Sequence, residues 1–203
     1  MANLTIGGFR WRKNKDGARS EPRERGVVIS NQTGGIFYGD VVKRVSDGTF
    51  IAAAAGDTTL YGICVGVERY KNSSSVITAG NYLPASTTYT GAPVLSNPQA
   101  SVIYIVPLRG NVFEVDVDTA ASTLTAAQDF VGNNADFAAG AGGSTTTGRS
   151  THVLDGSGPG TGTAQFQILE IVQDPLNDVT AVRWKALVQG NEVSDTSFTT
   201  TGV

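Results

Sequence analysis

The sequence predicts an all-β chain, a sandwich or barrel of short antiparallel strands with an extended basic N-terminal arm and a long Gly/Ser/Thr-rich loop. Three observations lead there. Short β-branched and aromatic runs recur between Gly, Asn and Asp turn signals. The 25 glycines, with abundant Ser and Thr, favour turns over helix. Seven of the 15 Lys and Arg residues lie within the first 25 positions, where no helical or alternating pattern persists.

Three regions follow: an extended arm over 1–25, a β-rich body over 26–193 and a flexible tail over 194–203. The loop 138–163 divides the body into at most two subdomains. In the body, Val27-Val28-Ile29 is a β-branched run closed by the turn signal at 31–35, and Ile36-Phe37-Tyr38 follows. Val41–Val45 and Phe50-Ile51 flank Asp47-Gly48, a dipeptide suited to a tight type I′ hairpin turn. Ala52–Ala55 is too short to propagate a helix and leads through Gly56-Asp57 into a strand at Leu60–Val67. Further strands are predicted at 93–95, 101–106, 111–117, 164–173 and 179–189. Ser122 or Thr123 caps one short helix over Leu124–Val131, ended by Gly132. Residues 138–163 have the composition of a loop, expected at a subunit contact or on the exposed surface.

Charge is separated along the chain. The first 25 residues carry +4 and the remaining 178 carry −7, for a net −3. Seven cations (Arg10, Arg12, Lys13, Lys15, Arg19, Arg23 and Arg25) suit phosphate or carboxylate recognition, with Trp11 as an anchor. The acidic body argues against nucleic acid, since such binders carry a basic face on the folded domain too. The reading that follows is an arm that docks on a protein partner; a solvated tail is its dull alternative. No apolar leader opens the chain and no stretch is long enough to cross a bilayer, so assembly in a cytoplasm is the expectation and no membrane partner is expected.

Candidate chemistry is sparse. Cys64 is alone within an apolar strand, which excludes a disulfide framework and reads as a small buried hydrophobe. Glu114, Asp116 and Asp118 alternate with Phe113, Val115 and Val117, so period-two geometry sets three carboxylates in a row. That row is a solvated strand face, a receiver for a basic arm from a neighbouring subunit, or a seat for a hard cation. His152, the one histidine, lies in loop composition without a nucleophile motif and reads as incidental. Gly156–Gly162 lacks the strand-before, helix-after setting of a phosphate loop. No catalytic residues, cofactor or metal ligands are expected, and the chain is read as a non-enzyme.

One resemblance emerges from the residues. Gly39-Asp40-Val41-Val42, Asp47-Gly48-Thr49-Phe50, Ala52–Ala55-Gly56-Asp57 and Tyr61-Gly62-Ile63-Cys64-Val65-Gly66 form a recurrent pattern. It resembles that of the small β-structured decoration, or cement, proteins of tailed-bacteriophage capsids, and later stretches at 130–136, 148–151, 164–172 and 174–177 look similar. The resemblance implies a structural virion protein on the capsid surface, made in the host cytoplasm. Its implied partners are the major capsid protein and further copies of itself, often as a homotrimer. The arm over 1–25 lies outside this pattern. An alternative is a receptor- or glycan-binding module of a phage tail fibre, with Trp184, Tyr82, Tyr89 and Tyr104 as stacking platforms.

Overall fold

The computed structural model describes residues 3–17, 20–29, 32–72, 74, 76–85, 89–90, 100–140 and 142–191. It is all-β, with one short helix among the described residues. In chain order the strands are β1 (Arg10–Asn14), β2 (Glu24–Val27), β3 (Ile36–Phe37), β4 (Val41–Arg44), β5 (Phe50–Ala52), β6 (Leu60–Asn72), β7 (Ile77–Thr78) and β8 (Tyr82–Leu83). After these come β9 (Tyr89–Thr90), β10 (Val102–Pro107), β11 (Asn111–Val117), α1 (Leu124–Gln128), β12 (Asn134–Ala135), β13 (Phe137–Ala138), β14 (Val153–Leu154), β15 (Phe166–Ile171) and β16 (Trp184–Gly190).

Two seven-stranded sheets share the work. One runs β12-β15-β16-β11-β14-β13, with β1 added on β11. The other runs β2-β10-β6-β4-β5, with β7 and β9 on the far end of β6. A parallel bridge from Val28 to Phe50 brings the two outer strands of this second sheet together, so it nearly closes into a barrel. Strands β3 and β8 form a separate pair.

The packing explains why Val41-Val42 in β4 and Ile63-Cys64-Val65 in β6 read as unbroken apolar runs. Val42 and Cys64 point into the barrel with Val28, Phe50, Ile103 and Ile105. Their neighbours Val41, Ile63 and Val65 face the other way, into a larger core shared with Phe113, Phe137, Phe166 and Trp184. A strand buried on both faces has no polar alternation to show. Cys64 is fully buried, and desolvation pushes its thiol up to about 12, so it behaves as a hydrophobe.

Several local expectations are corrected. The Asp47-Gly48 hairpin exists, but only Gly48 takes a positive φ (83°), whereas a type I′ turn needs two such residues. Val45 N–H instead bonds to Thr49 O across a wider loop, and Asp47 Oδ1 accepts from both the amide and the hydroxyl of Thr49. Thr123 caps α1, accepting from Ala126 N–H, but the helix ends at Gln128 rather than Val131. The loop 138–163 is not all surface: Ser150, His152, Val153 and Leu154 are buried, and β14 lies within it. Strand residues 93–95 and the tail 194–203 fall outside the described residues.

The largest correction concerns residues 1–25. Their described part is not an extended arm but is built into the body. Strand β1 pairs antiparallel with β11, Arg10 opposite Glu114, and β2 pairs with β10. Phe9 is wholly buried in the larger core and stacks on Phe166 at 4.7 Å. A composition dominated by charge concealed one decisive aromatic, whose burial stabilises by roughly 2–3 kcal/mol.

Candidate functional site

The basic strip and the acidic row meet, and they meet within one chain. All of β11 is buried: Phe113, Val115 and Val117 face the core, while Glu114 and Asp116 lie beneath the N-terminal segment. The reading of a solvated carboxylate face is therefore overturned for these two. A hydrophilic alternation looks the same in sequence whether water or another segment covers it.

Each carboxylate is handled differently. Glu114, 1% exposed, takes Arg10 Nη2 at 2.9 Å and also pairs with Arg12 Nε. Asp116, 0% exposed, accepts the Ile6 amide at 3.0 Å on Oδ2, and Oδ1 has no hydrogen-bond partner among the described residues. Burial pushes its carboxyl up to about 6, against the opposing pull of the Ile6 amide, Lys185 and Arg183. Asp118 is half-buried and accepts from the Gly156 amide at 2.9 Å and the Thr119 hydroxyl.

The segment that covers Asp116, residues 3–8, forms a strap. Asn3 Nδ2 donates to the carbonyls of Asp178 and Val182, and Asn3 Oδ1 accepts from Asp178 N–H. Arg149 donates to Ile6 O at 3.0 Å. Gly7 and Gly8 then turn the chain at φ 74° and 84° so that Phe9 can enter the core. Gly8 lies against Gly39: a Cβ on Gly8 would come within 2.5 Å of Ser150 Cβ and 2.7 Å of Gly39 O.

The other cations sit as follows. Arg23 pairs with Glu21 and Arg25 with Glu68, both at the surface, where such pairs contribute little. Trp11 donates its indole N–H to Asn111 Oδ1 and is half-buried, so it anchors on its own chain. Lys13 and Lys15 are exposed, and Arg19 lies outside the described residues. Arg10 and Arg12 keep over two-fifths of their side chains exposed while bound to Glu114.

Two further features emerge, the first without a signal in the sequence and the second at Gly-Asp pairs read there as turn and pattern residues. His152 is buried at the junction of the two sheets, where its Nδ1 accepts from Val41 N–H at 3.3 Å and its Nε2 faces Asp40 Oδ1 at 3.5 Å. Burial lowers the imidazole pKa, opposed by Asp40, and raises that of Asp40, opposed by His152. Ser150 is adjacent, but its hydroxyl accepts from the His152 backbone amide and both ring nitrogens are turned to residues 40 and 41. The cluster joins the sheets and does not form a nucleophile–base pair. The second feature is a repeated turn. In Phe37–Asp40 and in Ala54–Asp57 the glycine has positive φ (92° and 82°), and the aspartate Oδ2 accepts the amide three residues back, at 2.8 and 2.6 Å. These are the two Gly-Asp pairs of the recurrent sequence pattern.

Of the aromatics offered as sugar platforms, Trp184 is wholly buried and Tyr82 stacks on Phe37 at 4.8 Å. Tyr104 is half-buried against the larger core, and nothing is described of the Tyr89 side chain. Among the described residues no group of three or more His, Cys, Asp or Glu side chains is placed to hold a metal ion. No helix there is long and apolar enough to cross a membrane. No family model, curated protein or solved structure matches this chain.

Proposed function

We propose that this protein is a structural virion component that binds the outside of a phage capsid and stiffens it by bridging capsid subunits. The observation that carries this reading is the repeated Gly-Asp turn. The residues that resemble the decoration-protein pattern occupy β4, β5, β6 and the turns before β4 and β6. In each of these two turns the glycine supplies a left-handed φ and the aspartate carboxylate closes the loop. The pattern thus corresponds to one structural unit, the wall of the barrel, rather than to scattered small residues.

The chemistry of the surface suits such a role. A shell under internal pressure fails where subunits part, and a bridging molecule adds contact area there with affinity multiplied by its several attachments. Lys13, Lys15, Arg23 and Arg25 lie on or beside β1 and β2, exposed on a rigid scaffold instead of a pliable arm. Charges fixed on rigid strands lose less entropy on docking than charges on a disordered arm. The test is co-sedimentation with capsids of the phage that encodes the protein. Binding that saturates at a symmetry-fixed stoichiometry, weakened several-fold in a Lys13→Glu/Arg23→Glu variant, supports the reading; absence of binding at micromolar concentration overturns it.

A further inference from the structure

We propose that residues 3–8 form a proton-gated strap, closed over Asp116 when that carboxyl is neutral and loosened when it ionises. Strand β11 carries two carboxylates in unequal company. Glu114 and Asp116 are equally buried, two residues apart on the same face of the strand. Glu114 has two guanidinium partners. Asp116 makes no ion pair among the described residues, its Oδ1 has no hydrogen-bond partner there, and the Ile6 amide is bonded to Oδ2. An ionised carboxylate so placed is costly. It relieves that cost by taking a proton or by reaching water, and water lies on the far side of the strap.

The charged groups around Asp116 come from each packed element. Lys185 is its cross-strand partner on β16, and Arg183 precedes that strand. The strap contributes only amides, from Ile6 and Gly7. Along β11 itself stand Glu114, already neutralised by Arg10 and Arg12, and Asp118. The cations are not close enough to pair with Asp116, and the burial that raises its pKa to about 6 outweighs them.

The strap is built to open in part. Phe9 stays locked in the core, while Gly7 and Gly8 beside it take left-handed φ and have no side chain to restrict the turn there. Beyond these glycines the holding bonds, from Asn3 and Arg149, are exposed to water, where they contribute least. With the strap closed, burial holds the Asp116 pKa at about 6 although the Ile6 and Gly7 amides lower it; opening that returns the carboxyl to water restores the ordinary aspartate value, so closure binds a proton and weakens as pH rises through that interval. With an ordinary value of about 4, the opening equilibrium grows about tenfold between pH 5 and pH 8.

The test is amide hydrogen exchange of Ile6 in the full chain, each rate divided by its intrinsic chemical rate at that pH. The wild-type protection factor is expected to fall about tenfold from pH 5 to pH 8, and Asp116→Asn to stay within twofold. A carbon-13 titration of the wild-type Asp116 carboxyl, independent of any variant's folding, is expected to show a midpoint near 6. A midpoint near 4, an Ile6 protection factor that does not fall, or an equal fall in Asp116→Asn overturns the proposal.

Discussion

Phe9 is the residue on which the N-terminal region depends. It is fully buried, stacked on Phe166, and leads directly into β1. Phe9→Ala is expected to remove about 3–5 kcal/mol from the unfolding free energy, read as a shift in the urea midpoint at unchanged slope. A loose arm would lose nothing. His152 invites a pH experiment of opposite sign to that of Asp116. Its folded pKa lies below its ordinary value, so its contribution is complete above pH 6.5 and is lost as pH falls below it. Protonation also removes the Nδ1 acceptor from Val41 N–H. Measured from pH 7 to pH 5, wild type is expected to lose stability relative to His152→Asn, which keeps an acceptor without the titration. Equal pH profiles would show that His152 does not govern this response. Because Asp116 gains over part of the same window, neither effect is visible in the wild type alone.

At the scale of elements, the strap and the Gly-Asp turn are one construction. Gly39 has no room for a Cβ because Gly7 O, Gly8 Cα and Phe9 N lie about it at 2.9–3.1 Å. Gly8→Ala adds a Cβ at 2.5 Å from Ser150 and demands φ 84° of an alanine, so it is expected to cost about 2 kcal/mol or more. Thermal unfolding checks this, with Gly17→Ala as a control that has the same left-handed backbone and open space around it. The element scale also shows what the sequence could tell. Strands at 41–45, 60–67 and 111–117 were readable because β-branched runs between turn residues have few other outcomes. The helix cap at Thr123 was readable because capping is local. The cover over Glu114 and Asp116 was not, since polar alternation does not say what lies above it. Nor was the burial of His152, whose neighbours Asp40 and Val41 are more than a hundred positions away.

For the molecule as a whole, the separation of charge has a different meaning from the one its sequence suggested. Part of the basic strip neutralises the acidic strand of its own sheet, through Arg10 and Arg12 on Glu114. The other described cations of the strip, among them Arg23 and Arg25 on Glu21 and Glu68, stand exposed on or beside β1 and β2. Deletion of residues 1–25 therefore removes core and sheet together. It is expected to abolish folding, so charge reversal is the way to probe docking. The barrel interior and the larger core share β4 and β6 as a common wall, with Val41 and Val42, and again Ile63 and Cys64, facing opposite cores. Such a wall couples the two halves, and a single cooperative unfolding transition is expected by fluorescence and circular dichroism alike.

The most direct measurement is an image of the capsid with and without the purified protein, reconstructed far enough to show where added density lies. A bridging protein is expected to add density at fixed symmetry positions across junctions between capsid subunits, with exposed cations of β1 or β2 toward the shell and a higher rupture temperature for decorated particles. Capsids left bare by saturating protein, or protein found at the tail fibres instead, would contradict that role.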